Sequence, residues 1–129
     1  MDFDDQILRT CEIIDKNLAN NNLCDERGFV SQVILSQLRN LVEYIFQKIH
    51  SGEEKIDTNE YQQTINENAI KYIKSKGGNF TFLIRFHNFL DKSVSHYTLT
   101  ENSSERLMLK YFMYLVECKN FLRERYNIE

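Results

Sequence analysis

Arg39, Asn40, Glu43 and Tyr44 are the residues of this chain whose types and spacing lend themselves best to chemistry. They sit close together in the stretch FVSQVILSQLRNLVEYIFQKIH, residues 29–50. Arg39 carries a permanent positive charge, and Asn40 beside it offers both donors and an acceptor. The Tyr44 phenol, with an ordinary pKa of about 10, stays protonated at neutral pH and can donate a proton but hardly accept one. Tyr is also enriched at protein interfaces, so Arg39, Glu43 and Tyr44 are expected at a subunit or domain contact. The plainer reading is a solvated helix face, on which Arg39 and Glu43 form an i,i+4 pair worth about 0.3 kcal/mol.

The element that must position these residues is a helix. Val30, Ile34, Leu38, Leu41, Val42, Ile45 and Ile49 recur at the helical period and form one broad apolar stripe. The sequence thus predicts a second helix from a cap at Asp25 to about His50, with the chemistry-bearing residues off the core face. The first helix is predicted from Asp2 as cap through Phe3 to Leu18. Phe3, Ile7, Leu8, Cys11, Ile14 and Leu18 lie inward, and Asp4 and Asp5 suit the positive end of its dipole.

Asn20, Asn21 and Asn22 end that helix, and residues 51–55 read as a loop. An Asp57-x-x-Glu60 start opens a third helix, about Asn59 to Lys76, with a thin stripe of Tyr61, Ile65, Ala69, Tyr72 and Ile73. Gly77-Gly78 is its stop. With Asn79 as cap, a fourth helix to about His96 presents Phe82, Leu83, Phe86, Phe89, Leu90, Val94 and Tyr97. The last helix, about Ser103 to Tyr126, is apolar nearly all round in its first half, through Leu107, Met108, Leu109, Phe112, Met113 and Val116. Such a helix is either buried centrally or covered by a partner. The expected fold is all-α, an antiparallel bundle of four to five helices with the second and fifth as its spine.

Composition agrees with this class. The chain has 129 residues, enough for one domain over residues 1–129, of the kind that forms the N-terminal module of a longer protein. It has no Pro and four Gly, too little turn chemistry for a sheet protein. A net charge of −3 with interleaved signs excludes the global footprint of a general nucleic-acid binder. Three widely spaced cysteines, Cys11, Cys24 and Cys118, fit reduced thiols better than a zinc site. The acidic start MDFDDQ is unlike a secretion signal, and no apolar run is long enough for a bilayer, so a soluble, cytoplasmic protein without membrane contact is expected.

Most enzyme signatures are missing. The sequence contains no Walker loop, GxSxG or HExxH. His50, His87 and His96 include no i,i+4 pair, so neither a metal nor any other cofactor is expected. Asp91 and Lys92 read as a solvated edge, and Arg85 and His87 as pointing to different sides.

The run Arg39-Asn40-Leu41-Val42-Glu43-Tyr44 resembles the signature of the HEPN superfamily, helical-bundle domains of bacterial toxins, phage-defence proteins and RNA-cleaving effectors. That signature is Arg, a polar residue (often Asn), three further residues and His. Arg39 and Asn40 match, and Tyr44 stands where His belongs. The stretches ERGFVSQVILSQLRN and SVSHYT also resemble an N-terminal module of bacterial defence and helicase-type proteins. The resemblance implies a homodimer whose composite site cleaves RNA without metal, the base activating a 2′-hydroxyl and the Arg stabilising the phosphorane. On it, Arg39, Asn40 and Tyr44 are the catalytic candidates. Tyr44 puts a poor proton acceptor where the base belongs, so the implied function is a dimerisation or RNA-recognition module with degenerate catalysis. The alternatives are an active metal-independent ribonuclease at a composite dimer site, using Arg39 and Asn40 with Tyr44 or another His, and a plain interaction bundle docking on a neighbouring domain. His50, eleven residues after Arg39, lies roughly 16 Å along the helix and cannot serve within one subunit.

Overall fold

The computed structural model describes residues 3–19, 32–54, 56, 59–76, 78–95 and 101–128, with the side chains of residues 32–33, 79, 92–95 and 101–109 outside that set. The expected caps at Asp2, Asp25, Asp57 and Asn79 fall outside it. So do the Asn20–Asn22 break, Gly28 and Gly77, and the side chains of Cys24, Val30, Lys92, Val94, His96, Tyr97, Leu107, Met108 and Leu109.

Among the described residues five α-helices make the fold: α1 (Phe3–Ala19), α2 (Gln32–Glu53), α3 (Gln62–Lys76), α4 (Thr81–Ser95) and α5 (Glu101–Tyr126), with a 3₁₀ turn at Gly78–Phe80. The protein is an all-α helical bundle, as its sequence predicts. No described helix is long and apolar enough to cross a membrane.

In α1, Phe3, Ile7, Cys11 and Ile14 repeat at helical spacing and are buried, while Asp4 and Asp5 occupy the first turn and Lys16 the last. Thr10 is buried too, and its hydroxyl donates to the Gln6 carbonyl at 2.7 Å, so no polar group is stranded. Leu8, expected inward, is exposed: it lies one position off the stripe.

Helix α2 packs against α1, α3 and α4 and is the hub of the bundle. Ile34, Leu38, Leu41, Val42, Ile45 and Ile49 are buried, joined by Leu35 and Phe46, so apolar burial covers much more of the helix than one stripe. Fully burying each such side chain is worth about 2 kcal/mol. Asp4 at the start of α1 meets Lys48 near the end of α2, and the contacts Arg39–Asp91 and Glu43–His87 step in opposite directions along α2 and α4, so both neighbours run antiparallel to α2. Its C-terminus differs from expectation. Residues 51–53 continue the helix, with the Ser51 hydroxyl donating to the Lys48 carbonyl at 3.0 Å and the Glu54 amide to the His50 carbonyl at 2.8 Å. One Gly in a last turn costs too little to stop it.

Ile65, Ala69 and Ile73 seat α3 on α2, while Tyr61, expected on that stripe, is 87% exposed just before the helix begins. Gly78 has φ +49°, a left-handed conformation that follows the end of α3 and feeds the 3₁₀ turn.

Rings join α4 to α5 in antiparallel order: Phe89 with Tyr111 at 5.0 Å between centroids, Phe86 with Tyr114 at 4.7 Å, and Phe82 with Phe121 at 5.7 Å. Tyr111, Leu115, Cys118 and Leu122 are the buried side of α5. Phe112, Met113 and Val116 are exposed, so the described part of α5 is a flank rather than a second spine. The reason is that only its inner side meets the bundle, α4 through the ring pairs and α1 and α2 through Tyr111, Leu115 and the Lys119–Asp15 pair, while Met113 and Val116 stay open to solvent. Asn127 at φ +55° closes α5, with its amide donating to the Arg123 carbonyl and that of Ile128 to Leu122.

Candidate functional site

Two polar residues of α2, Glu43 and Gln47, are buried and not on a solvated face. Glu43 is buried between α3 and α4, where an isolated carboxylate would be costly. Its surroundings compensate. Asn66 of α3 donates to Oε2 at 3.3 Å. Arg39 Nε lies 3.5 Å from Oε1, and His87 Nε2 of α4 lies 3.7 Å from the same oxygen. Burial alone pushes the Glu43 carboxyl up, but His87, Asn66 and the Arg39 guanidinium together outweigh it and hold it below its ordinary range.

The cluster continues into α4. Arg39 Nη2 is 3.0 Å from Asp91 Oδ1, and His87 Nδ1 is 3.6 Å from Asp91 Oδ2. Arg39 and Asp91 are each 39% exposed in their side chains, whereas His87 is 3% exposed. Both imidazole nitrogens therefore face carboxylates at ion-pair distance, beyond hydrogen-bond length. Phe46 lies against the ring, 5.4 Å between centroids.

On its other side Glu43 meets a ladder of carboxamides. Gln62 of α3 donates to Gln47 of α2 at 2.8 Å, and Gln47 donates back to Asn66 at 3.1 Å. Tyr44 is half-buried and, with exposed Asn40, lines a groove of about 250 Å³ over these amides. A polar seam thus crosses the bundle from α3 through α2 to α4.

Three sequence expectations change. Glu43 is a buried member of this seam and not an exposed partner of Arg39 alone. Arg39 and Tyr44 do not look out together: five residues of helix rotate Tyr44 about 140° from Arg39, so Arg39 meets α4 while Tyr44 meets the α3 groove. Asp91 is likewise an interhelical ion partner and not an idle edge. Arg85 is exposed and His87 buried, on different sides as expected. His87 and Asp91 went unread as site residues. Their i,i+4 spacing, with His87 on the buried side of α4 beside Leu83 and Leu90, was the signal.

His50 stands apart from the seam, stacked on Tyr72 at 4.5 Å and 24°, with Nδ1 shielded from solvent. Burial lowers its pKa, against the opposing pull of Glu54 and Glu53. Among the described residues no set of His, Cys, Asp and Glu is arranged to hold a metal ion. Burial raises the pKa of both the Cys11 and the Cys118 thiol, which makes them inert packing groups.

Chemically, the seam can hold charge and orient side chains, and it joins three helices. A base acting on substrate must come within hydrogen-bond reach of the proton it takes, and His87 is enclosed. Comparison with protein-family models, characterised proteins and solved structures finds no match for the chain.

Proposed function

We propose that this chain is a HEPN-like helical module that pairs with a second copy of itself and lacks efficient RNA cleavage. The observation that carries the reading is the engagement of Arg39 by Asp91 and Glu43 of its own chain. A guanidinium held by two carboxylates is poorly placed to stabilise charge on a transferring phosphate, and Tyr44 lies on another side of the helix. Pairing is supported by the resemblance, whose members dimerise, and by α5, where Phe112, Met113 and Val116 leave adjacent apolar surface exposed. In this reading the module serves a bacterial defence or nucleic-acid-processing protein, with RNA or a neighbouring domain as further partner. The buried unpaired thiols Cys11 and Cys118 favour a reducing, cytoplasmic setting.

Light scattering during gel filtration tests the pairing. A dimer that dissociates in the Phe112→Glu, Val116→Glu variant supports it, and a monomer at every concentration removes it. Incubation with single-stranded RNA in the presence of chelator tests the second half. Cleavage abolished by Arg39→Ala would overturn the non-cleaving assignment.

One observation favours the ribonuclease alternative: His87 lies against both carboxylates that hold Arg39, so a histidine does accompany the Arg within one chain. For that chemistry α4 must shift to expose the ring. RNA cleavage that His87→Asn removes, in a variant that keeps its helical signal, would establish it.

A further inference from the structure

The groove of about 250 Å³ over the carboxamide ladder lies between α2 and α3. We infer that it binds one neutral sugar ring, held by the amides of Asn40, Gln62 and Gln63 and covered on one face by Tyr44. This goes beyond the pairing proposed above and does not rest on it.

The floor of the groove is fixed before any guest arrives. Gln47 is 2% exposed and Glu43 8%, so both stand at its base. Gln62 donates to Gln47 at 2.8 Å, Gln47 to Asn66 at 3.1 Å and Asn66 to Glu43 at 3.3 Å. Each of these amides is thereby held in one orientation, which removes part of the ordering cost of binding. Above the floor, Asn40 is exposed and Tyr44 half-buried, and neither side chain hydrogen-bonds to a described residue. Gln62 and Gln63 each donate through the amide nitrogen, Gln63 to Glu67 at 3.2 Å, and keep a carbonyl oxygen for a guest.

The lining selects against ionic guests. Among the described residues that line the groove there is no Lys or Arg, so a phosphate or carboxylate meets no counter-charge. A cation gains little from Glu43, whose charge is already met by Arg39, His87 and Asn66. No aliphatic side chain is among those residues either, so the side chains of a peptide would leave water for no apolar surface except Tyr44. A hydroxyl both donates and accepts, as a carboxamide does through its two ends. A sugar carries several hydroxyls around a ring whose faces are C–H, and Tyr44 offers an apolar ring with a polar tip. Size agrees. Asn40 and Gln47 are about 10 Å apart along α2, room for one ring with a hydrogen bond at each end.

D-Glucose, D-galactose and N-acetyl-D-glucosamine are the probes. Each is titrated into the isotope-labelled chain while NMR follows the side-chain amides of Gln47, Gln62 and Asn66. Asn40→Ala and Tyr44→Ala are compared with Asn68→Ala, which removes an exposed amide of α3 outside this groove. Saturable shifts with at least one sugar, weakened about tenfold or more by Asn40→Ala and by Tyr44→Ala and little by Asn68→Ala, support the site. No saturable shift with any of the three sugars overturns it, and so does equal weakening by all three variants. Acetylated diglycine amide or adenosine binding as tightly as the best sugar would overturn it too, in favour of a peptide or a nucleic-acid guest. Circular dichroism checks that the variants stay folded. Asn40→Asp and Tyr44→Leu keep most of the side-chain volume and are expected to weaken binding likewise. Light scattering on the same samples reports pairing separately, so a monomer that binds sugar leaves this inference standing.

Discussion

His87 Nε2 lies 3.7 Å from Glu43 Oε1 inside the bundle, a close approach that sets α4 against α2. The same carboxylate accepts from Asn66 of α3, so one buried side chain links three helices. Truncating it strands several polar groups at once. Glu43→Ala is therefore expected to cost about 2–3 kcal/mol in chemical denaturation, more than the loss of a surface ion pair. Arg39→Ala, which removes a half-exposed partner, is expected to cost less than about 1 kcal/mol. If the two variants lose the same stability, the seam is not centred on Glu43.

The pH dependence follows from two directions. The folded-state pKa of Glu43 lies below its ordinary value of 4.5, so its stabilisation is complete above that value and lost as pH falls through the folded pKa. The pKa of His50 lies below 6.5, so folding favours its neutral form, and stability begins to fall once pH drops below 6.5. Thermal melts are thus expected to show two acid limbs. His50→Gln should flatten the upper limb and leave the lower. Glu43→Gln should flatten the lower one. A curve unchanged by either substitution contradicts these assignments.

The stop after α3 offers a local test. Gly78 sits at φ +49° with open space around the position of a Cβ, so backbone conformation and not crowding demands glycine. Gly78→Ala is expected to cost about 1 kcal/mol, and Gly78→Asn less, because Asn tolerates the left-handed region. Urea midpoints of the two variants check the order. Equal midpoints would mean that the turn relaxes.

Much of this fold is legible in the spacing of apolar residues. Ile34, Leu38, Leu41, Val42, Ile45 and Ile49 mark α2, and all are buried. Periodicity assigns a side of the helix as core or not, however, and cannot report that a third neighbour will meet the polar side. Glu43 and Gln47 became interior because α3 supplies Asn66 and Gln62 and α4 supplies His87, a match between distant side chains that no local pattern encodes. The divergence of Arg39 and Tyr44 was accessible, since five residues do not return to the same face. In α5 apolar residues on every side left the buried one undetermined. Packing against α1, α2 and α4 together selected Tyr111, Leu115, Cys118 and Leu122.

Phe46 connects that core to the seam. Its side chain is fully buried on α2, and its ring lies 5.4 Å from that of His87. Phe46→Leu keeps most of the volume and is expected to cost about 1 kcal/mol, while Phe46→Ala opens a cavity worth about 3–5 kcal/mol. The cavity also removes the apolar wall beside His87, so water can reach the imidazole and the Glu43 carboxylate. Hydration relieves the burial that pushes the Glu43 carboxyl up, so its pKa should move further down in Phe46→Ala, provided His87, Asn66 and Arg39 stay in place. Carboxyl titration by NMR of the native chain and both variants separates the effects. A Glu43 pKa that rises in Phe46→Ala would mean that Phe46 positions His87 against the carboxylate, and that its loss breaks the contact joining α2 to α4.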